Sequence, residues 1–99
     1  MANPLEKEVE KRLRKRIEAR GGRCLKWVCP GWSGVPDRIC LLPGARIVFV
    51  ETKRPKGSNT AELQKYWARV LTGLGFRHYY IFTFEEVEAL MADLDTQHI

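Results

Sequence analysis

The sequence predicts an α/β domain with the element order α-β-β-β-α-β-α, a mixed sheet flanked by helices. Three observations predict it. Leu5, Val9, Leu13 and Ile17 fall four apart over residues 5 to 20, the spacing of one helical stripe. Two β-rich runs, 37–42 and 46–53, are separated by a Pro43-Gly44 turn. After Gly57-Ser58 the helical period returns, followed by an aromatic run at 76–82 and a Thr83/Glu86 pair of capping-box spacing.

Taken in order, the first helix stops at Gly21-Gly22. Residues 23 to 29 read as a strand, and residues 30 to 36, Pro-Gly-Trp-Ser-Gly-Val-Pro, as a loop. The continuous apolar run Val48-Phe49-Val50 marks a strand covered on both faces and so central in the sheet. Asn59 with Glu62 resembles a helix start. The helix should run to about Thr72 with Leu63, Trp67, Val70, Leu71 and Leu74 facing inward. The last helix carries Val87, Leu90, Met91 and Leu94.

At 99 residues the chain is expected to form a single domain over 1–99. Its 44% hydrophobic content argues against disorder. A net charge of +5 and a pI near 9.4 favour a polyanionic partner. Nine of the basic residues lie between Lys7 and Lys26, where they could form a solvated helix face or a phosphate-binding one. Cys24, Cys29 and Cys40 form no CxxC, and only His78 and His98 accompany them, which argues against zinc. Free cysteines fit a reducing compartment, and neither a signal peptide nor a membrane-length apolar run is visible, so the expected location is cytoplasmic, in a bacterium or viral host.

Chemistry concentrates in Gly34-Val35-Pro36-Asp37 and Glu51-Thr52-Lys53. Hydrolysing a phosphodiester needs charge neutralisation on the phosphate and an activated water. Hard divalent ions held by carboxylates supply both. Asp37 and Glu51 suit Mg²⁺ or Mn²⁺, with the Thr52 carbonyl as a further ligand. Glu51 and Lys53 share a strand parity and leave the same face. Register decides whether Asp37 joins them. A two-residue loop pairs Leu42 with Ala45 and sends Glu51 to the wrong face. A three-residue loop pairs Leu42 with Arg46 and sets Asp37 opposite Glu51. Ser33 has no histidine and second acid placed to form a triad, which excludes serine hydrolysis.

The set Glu8, Gly34-Val35-Pro36-Asp37, Glu51-Thr52-Lys53 and Gln64 resembles the VRR-NUC (virus-type replication-repair nuclease) family of the PD-(D/E)xK nuclease superfamily, over nearly the whole chain. The resemblance implies the restriction-endonuclease-like α-β-β-β-α-β core, here with an extra C-terminal helix. It also implies that Asp37, Glu51 and the Thr52 carbonyl hold the metal and that Lys53 is the catalytic lysine. Glu8 would approach the metal directly or through water, and Gln64 would support the site from its helix. Short free-standing members are similar to Holliday-junction resolvases and act as homodimers. The implied function is therefore metal-dependent, structure-selective cleavage of branched DNA.

Candidate DNA contacts are Lys11, Arg12 and Lys15 on the first helix, Trp32 in the loop, and Arg54 and Lys56 beside the E-x-K strand. Two other readings compete, and a restriction-type endonuclease is disfavoured because the chain is short for an added sequence-recognition element. An inactive nucleic-acid-binding module on the same fold would bind DNA without a metal requirement. A structural or interaction protein with an incidental E-x-K would bind neither metal nor DNA.

Overall fold

Helix α1 (Glu6–Ala19) buries Val9, Leu13 and Ile17 completely, as the fourfold spacing predicts. Leu5, expected on the same stripe, is the N-cap and stands 60% exposed, because it lies just outside the helix. The computed structural model describes residues 5–96, so His98 lies outside the described residues. Strands β1 (Arg23–Lys26), β2 (Arg38–Leu42), β3 (Arg46–Glu51) and β4 (Arg77–Tyr80) form one sheet in that spatial order. The first three are antiparallel. The fourth runs parallel to β3, which requires a crossover, supplied by α2 (Ser58–Gly73). Helix α3 (Phe84–Thr96) closes the chain of described elements.

The β2–β3 loop has three residues, Pro43, Gly44 and Ala45, and Leu42 pairs with Arg46. Gly44 and Ala45 both adopt positive φ, 83° and 60°, which suits glycine and costs alanine about 1 kcal/mol. This register gives the sheet two unlike faces. Cys24, Cys40, Leu42, Val48 and Val50 point to one face, where they meet Val9, Leu13 and Ile17 of α1 and Val87, Leu90, Met91 and Leu94 of α3. Each fully buried large aliphatic here contributes about 1.5–3 kcal/mol. Arg16–Glu88 and Arg20–Asp95 ion pairs, both 2.7 Å, join the outer edges of α1 and α3.

The other face carries Leu25, Ile39, Leu41, Ile47 and Phe49, and α2 covers only part of it. Leu25, Leu41 and Ile47 stay exposed by 48%, 39% and 38%. Helix α2 departs from expectation in two ways. Its N-cap is Gly57 and not Asn59, which lies inside the first turn. Its buried positions are Gln64 and Leu71, while Leu63 and Leu74 are exposed, so its inward stripe is turned by about one residue. The Thr83/Glu86 cap of α3 forms: the Thr83 hydroxyl accepts the Glu86 amide at 3.1 Å, and Glu86 accepts the Phe82 amide at 2.8 Å.

Candidate active site

The loop before β2 sets Asp37 in place. Gly34 has φ +86° and lies so close to α2 that an added Cβ would stand 2.5 Å from the Leu63 Cβ. Only glycine tolerates both the backbone and the contact. The Trp67 indole N–H of α2 donates to the Ser33 carbonyl at 2.9 Å, and its ring meets Trp32 edge-on. Beyond the buried Pro36, the Trp27 amide donates to the Asp37 carbonyl at 2.9 Å, extending the β1–β2 pairing by a rung.

Asp37 and Glu51 emerge from one sheet face, as the three-residue loop requires. The Thr52 amide donates to Asp37 Oδ1 at 2.7 Å, and the Thr52 hydroxyl donates to Oδ2. Burial pushes the Asp37 carboxyl up, but hydrogen bonds from Glu51 and Thr52 outweigh it and hold the group below the usual range. Glu51 is only 3% exposed. Burial first, then the facing Asp37, push its carboxyl up to about 9, against a partial offset from Lys53. Its Oε2 is buried with no hydrogen-bond partner among the described residues. Two facing carboxylates with an orphaned inward oxygen fit a divalent cation, which would remove the repulsion and fill the unmet acceptor. No cluster of three His, Cys, Asp or Glu suited to a metal occurs among the described residues. Two carboxylates completed by carbonyl and water suit Mg²⁺ or Mn²⁺ rather than zinc.

One peptide group next to the site is held from two helices. The Gln64 side chain of α2 donates to the Lys53 carbonyl at 3.2 Å. The Arg54 amide of the same peptide donates to Glu6 Oε2 of α1 at 2.9 Å. Asp37, Glu51, Lys53, Gln64 and Glu6 line one cleft of about 450 Å³, with Arg54, Lys56 and Thr60 at its side. A solved structure described as "VRR_NUC domain" matches this fold with a TM-score of 0.79 and 30% identity, covering 88% of this chain and 94% of that one.

The chain belongs to the VRR_NUC family. The PD-(D/E)xK type of core accords with the sheet and helices described above. No family model matches the sequence. A protein of Acyrthosiphon pisum secondary endosymbiont phage 1 named "Putative nuclease p44" is 46% identical over 50 residues, 50% of this chain. The match spans 54% of that relative, about half its length.

In this VRR_NUC domain the acid of α1 that lines the cleft is Glu6, and Glu8, expected to approach the metal, does not line it. The Glu8 side chain is exposed and turns back to accept the Leu5 amide at 3.1 Å, capping α1. The available signal was spacing: Glu6 lies three residues before Val9 and seven before Leu13, on the buried stripe. Gln64, expected between inward and outward positions, is buried and turned to the site.

The expected DNA contacts divide. Lys56 lines the cleft, and Arg54 lines it while its guanidinium lies over the Phe82 ring at 4.9 Å. Arg12, also expected to contact DNA, lies 3.7 Å from Glu88 and over the Phe84 ring at 4.3 Å, and does not line the cleft. Lys15 is exposed and Trp32 is 61% exposed, and neither lines the cleft. Lys11 lines a second, cationic cleft.

Proposed function

We propose that this VRR_NUC domain is a DNA endonuclease dependent on Mg²⁺ or Mn²⁺. The observation that carries the reading is the meeting of Asp37, Glu51 and Lys53 in one cleft, with Glu51 Oε2 buried and unmatched. Asp37, Glu51 and the Thr52 carbonyl would hold the ion, which when bound neutralises the phosphate and acidifies a water. Thr52, by its amide and hydroxyl, fixes the Asp37 carboxylate so that little reorganisation accompanies reaction. Gln64 and Glu6 clamp the Lys53–Arg54 peptide from both sides and so aim the Lys53 side chain into the cleft. Gln64 and Glu6 are positioning residues in this scheme. The Lys53 ammonium orients the attacking water and stabilises charge developing on the phosphate. Water adds in line at phosphorus, the bond to the 3′ oxygen breaks, and the products are a 5′-phosphate and a 3′-hydroxyl.

The substrate we infer is branched DNA of the four-way-junction type, cut by a homodimer whose two clefts address opposite strands. The small size of the domain and the exposed Leu25, Leu41 and Ile47 on the sheet face that α2 leaves open support association of two copies. The test is cleavage of a labelled four-way junction and a matched linear duplex with Mg²⁺, Mn²⁺ or EDTA. Paired, metal-dependent nicks on the junction alone are expected, lost in Asp37→Asn and Lys53→Ala. Equal cutting of both substrates would remove the junction preference. Folded protein that binds the junction and never cuts it with either metal would overturn the nuclease reading in favour of a binding module.

A further inference from the structure

The cations of α1 fall into two groups. Arg12, Arg16 and Arg20 lie along one side of the helix and are each paired with an acid of α3, Glu88 or Asp95. Lys7, Lys11 and Arg14 follow helical spacing along another side, and no ion pair engages them among the described residues. The second group, with Lys26 from the end of β1, walls a cleft of about 310 Å³. At the base of that cleft Arg38 and Glu10 neutralise one another at 2.7 Å, with side chains only 12% and 14% exposed. Arg38 also reaches the Cys24 carbonyl at 3.4 Å, so it is a fixed part of the wall. Among the described residues, four exposed cations without an ion pair thus surround a neutral pair.

The position of this cleft relates it to the first. Lys26 ends β1 and Arg38 begins β2, while Asp37 precedes β2 and Glu51 ends β3. Both clefts therefore open at one end of the sheet. Asp37 and Arg38 are consecutive, so their side chains leave opposite faces. Helix α1 lends Glu6 to the catalytic cleft and its next two turns to the cationic one. From Glu6 to Arg14 is about 12 Å along the helix, at 1.5 Å per residue. At about 3.4 Å of axis per nucleotide, that is roughly three to four phosphates of one strand.

We propose that the cleft walled by Lys7, Lys11, Arg14 and Lys26 is a seat for the phosphate backbone of the nucleic-acid strand that leaves the Asp37–Glu51 cleft around the end of the sheet. The direction of the strand rests on the nuclease reading; the seat itself rests on the unpaired cations. It binds by charge and carries no base readout. The strand contacts it within a few nucleotides of the cut, which assigns one side of the cut to α1.

The experiment measures affinity for a labelled four-way junction as a function of salt, using Asp37→Asn protein to prevent cutting. Onto it are placed Lys11→Ala/Arg14→Ala/Lys26→Ala together or, as a control of equal sign, Arg20→Ala, whose guanidinium is held by Asp95 at the far end of α1. Each lost phosphate contact lowers the slope of log K against log salt by about 0.9 on duplex DNA. The triple variant is expected to lose about 2–3 from the slope, so that the affinity lost between 50 and 200 mM salt shrinks by about 40-fold. Arg20→Ala should leave the slope within about 0.5 of the parent. An unchanged slope in the triple variant overturns the proposal, as does a loss per charge as large in Arg20→Ala. If the wild type never cuts DNA but the triple variant loses its slope, the nuclease reading fails and the seat stands. Cutting with an unchanged slope has the reverse meaning.

Discussion

The two faces of the sheet obey different rules. On the α1–α3 face the core is apolar and closed, from Val9, Leu13 and Ile17 to Leu90, Met91 and Leu94, and the Arg38–Glu10 pair at its edge is internally neutral. Beside the α2 face the buried polar groups gather at one place: Glu51 at the end of β3, Thr52 just after it and Gln64 on α2. That face also leaves Leu25, Leu41 and Ile47 exposed. The first face holds the fold together, and the second tolerates two facing carboxylates because the first supplies the stability. A small domain thus keeps an electrostatically unfavourable site by confining it to one side of one sheet.

Substitutions on the two faces should have opposite effects on stability and cleavage. Leu13→Ala or Leu90→Ala on the closed face should lower unfolding free energy by about 2–5 kcal/mol in a denaturant titration. Asp37→Asn and Lys53→Ala on the open face should leave the fold intact and reduce cleavage at least about a hundredfold. A cleavage rate unchanged by both site variants would contradict the assignment. Gly34→Ala bridges the two kinds of effect. It forces a side chain into Leu63 and a left-handed backbone onto alanine, at a combined cost of roughly 2–4 kcal/mol. It should lower both melting temperature and cleavage by shifting the loop that carries Asp37.

A subtler test uses pH without metal. The Glu51 carboxyl titrates at about 9 in the folded chain against 4.5 ordinarily, so the folded state keeps a proton that the unfolded state has lost. Stability should therefore fall as pH rises from about 5 to 9, by at most ~1.4 kcal/mol per pH unit. The lowered Asp37 acts in the opposite sense and only at acid pH, below its ordinary range. Melting curves in EDTA should show the fall in wild type and lose it in Glu51→Gln. An equal fall in Glu51→Gln would place its origin elsewhere. The smallest contrast lies on one helix. Glu8→Ala should cost about 1 kcal/mol of stability through the lost cap and leave cleavage alone. Glu6→Ala should lower cleavage with little change in melting temperature. The reverse pattern would restore Glu8 to the site.

Much of this was legible in the sequence because local rules and tertiary demands agreed. Strand parity put Glu51 and Lys53 on one face, but the sequence left the β2–β3 register open between two loop lengths, and the three-residue Pro43-Gly44-Ala45 loop brings Asp37 to the same face. What failed to read turned on one or two residues of helical phase. Leu5 extends the fourfold spacing on paper but lies outside the helix, so Glu6 takes the position facing the site and Glu8 the cap. In α2 the mixed stripe hides the fact that a polar residue, Gln64, faces inward, because its partner is a backbone carbonyl eleven residues earlier. Charge runs carry even less information about which cations are free. Arg12 and Lys11 are adjacent, yet α3 neutralises one and leaves the other, and only the packing of α3 against α1 decides between them.

We propose above that Asp37 and Glu51 form a divalent-cation site on the open face. Its most direct test is titration of the wild type, Asp37→Asn and Glu51→Gln with Mn²⁺, read by calorimetry and by the paramagnetic resonance of the free ion. The account predicts a saturable Mn²⁺ site in the wild type that is lost or weakened at least about tenfold in both variants while their folds persist. Mn²⁺ binding of wild-type affinity in both variants would contradict it.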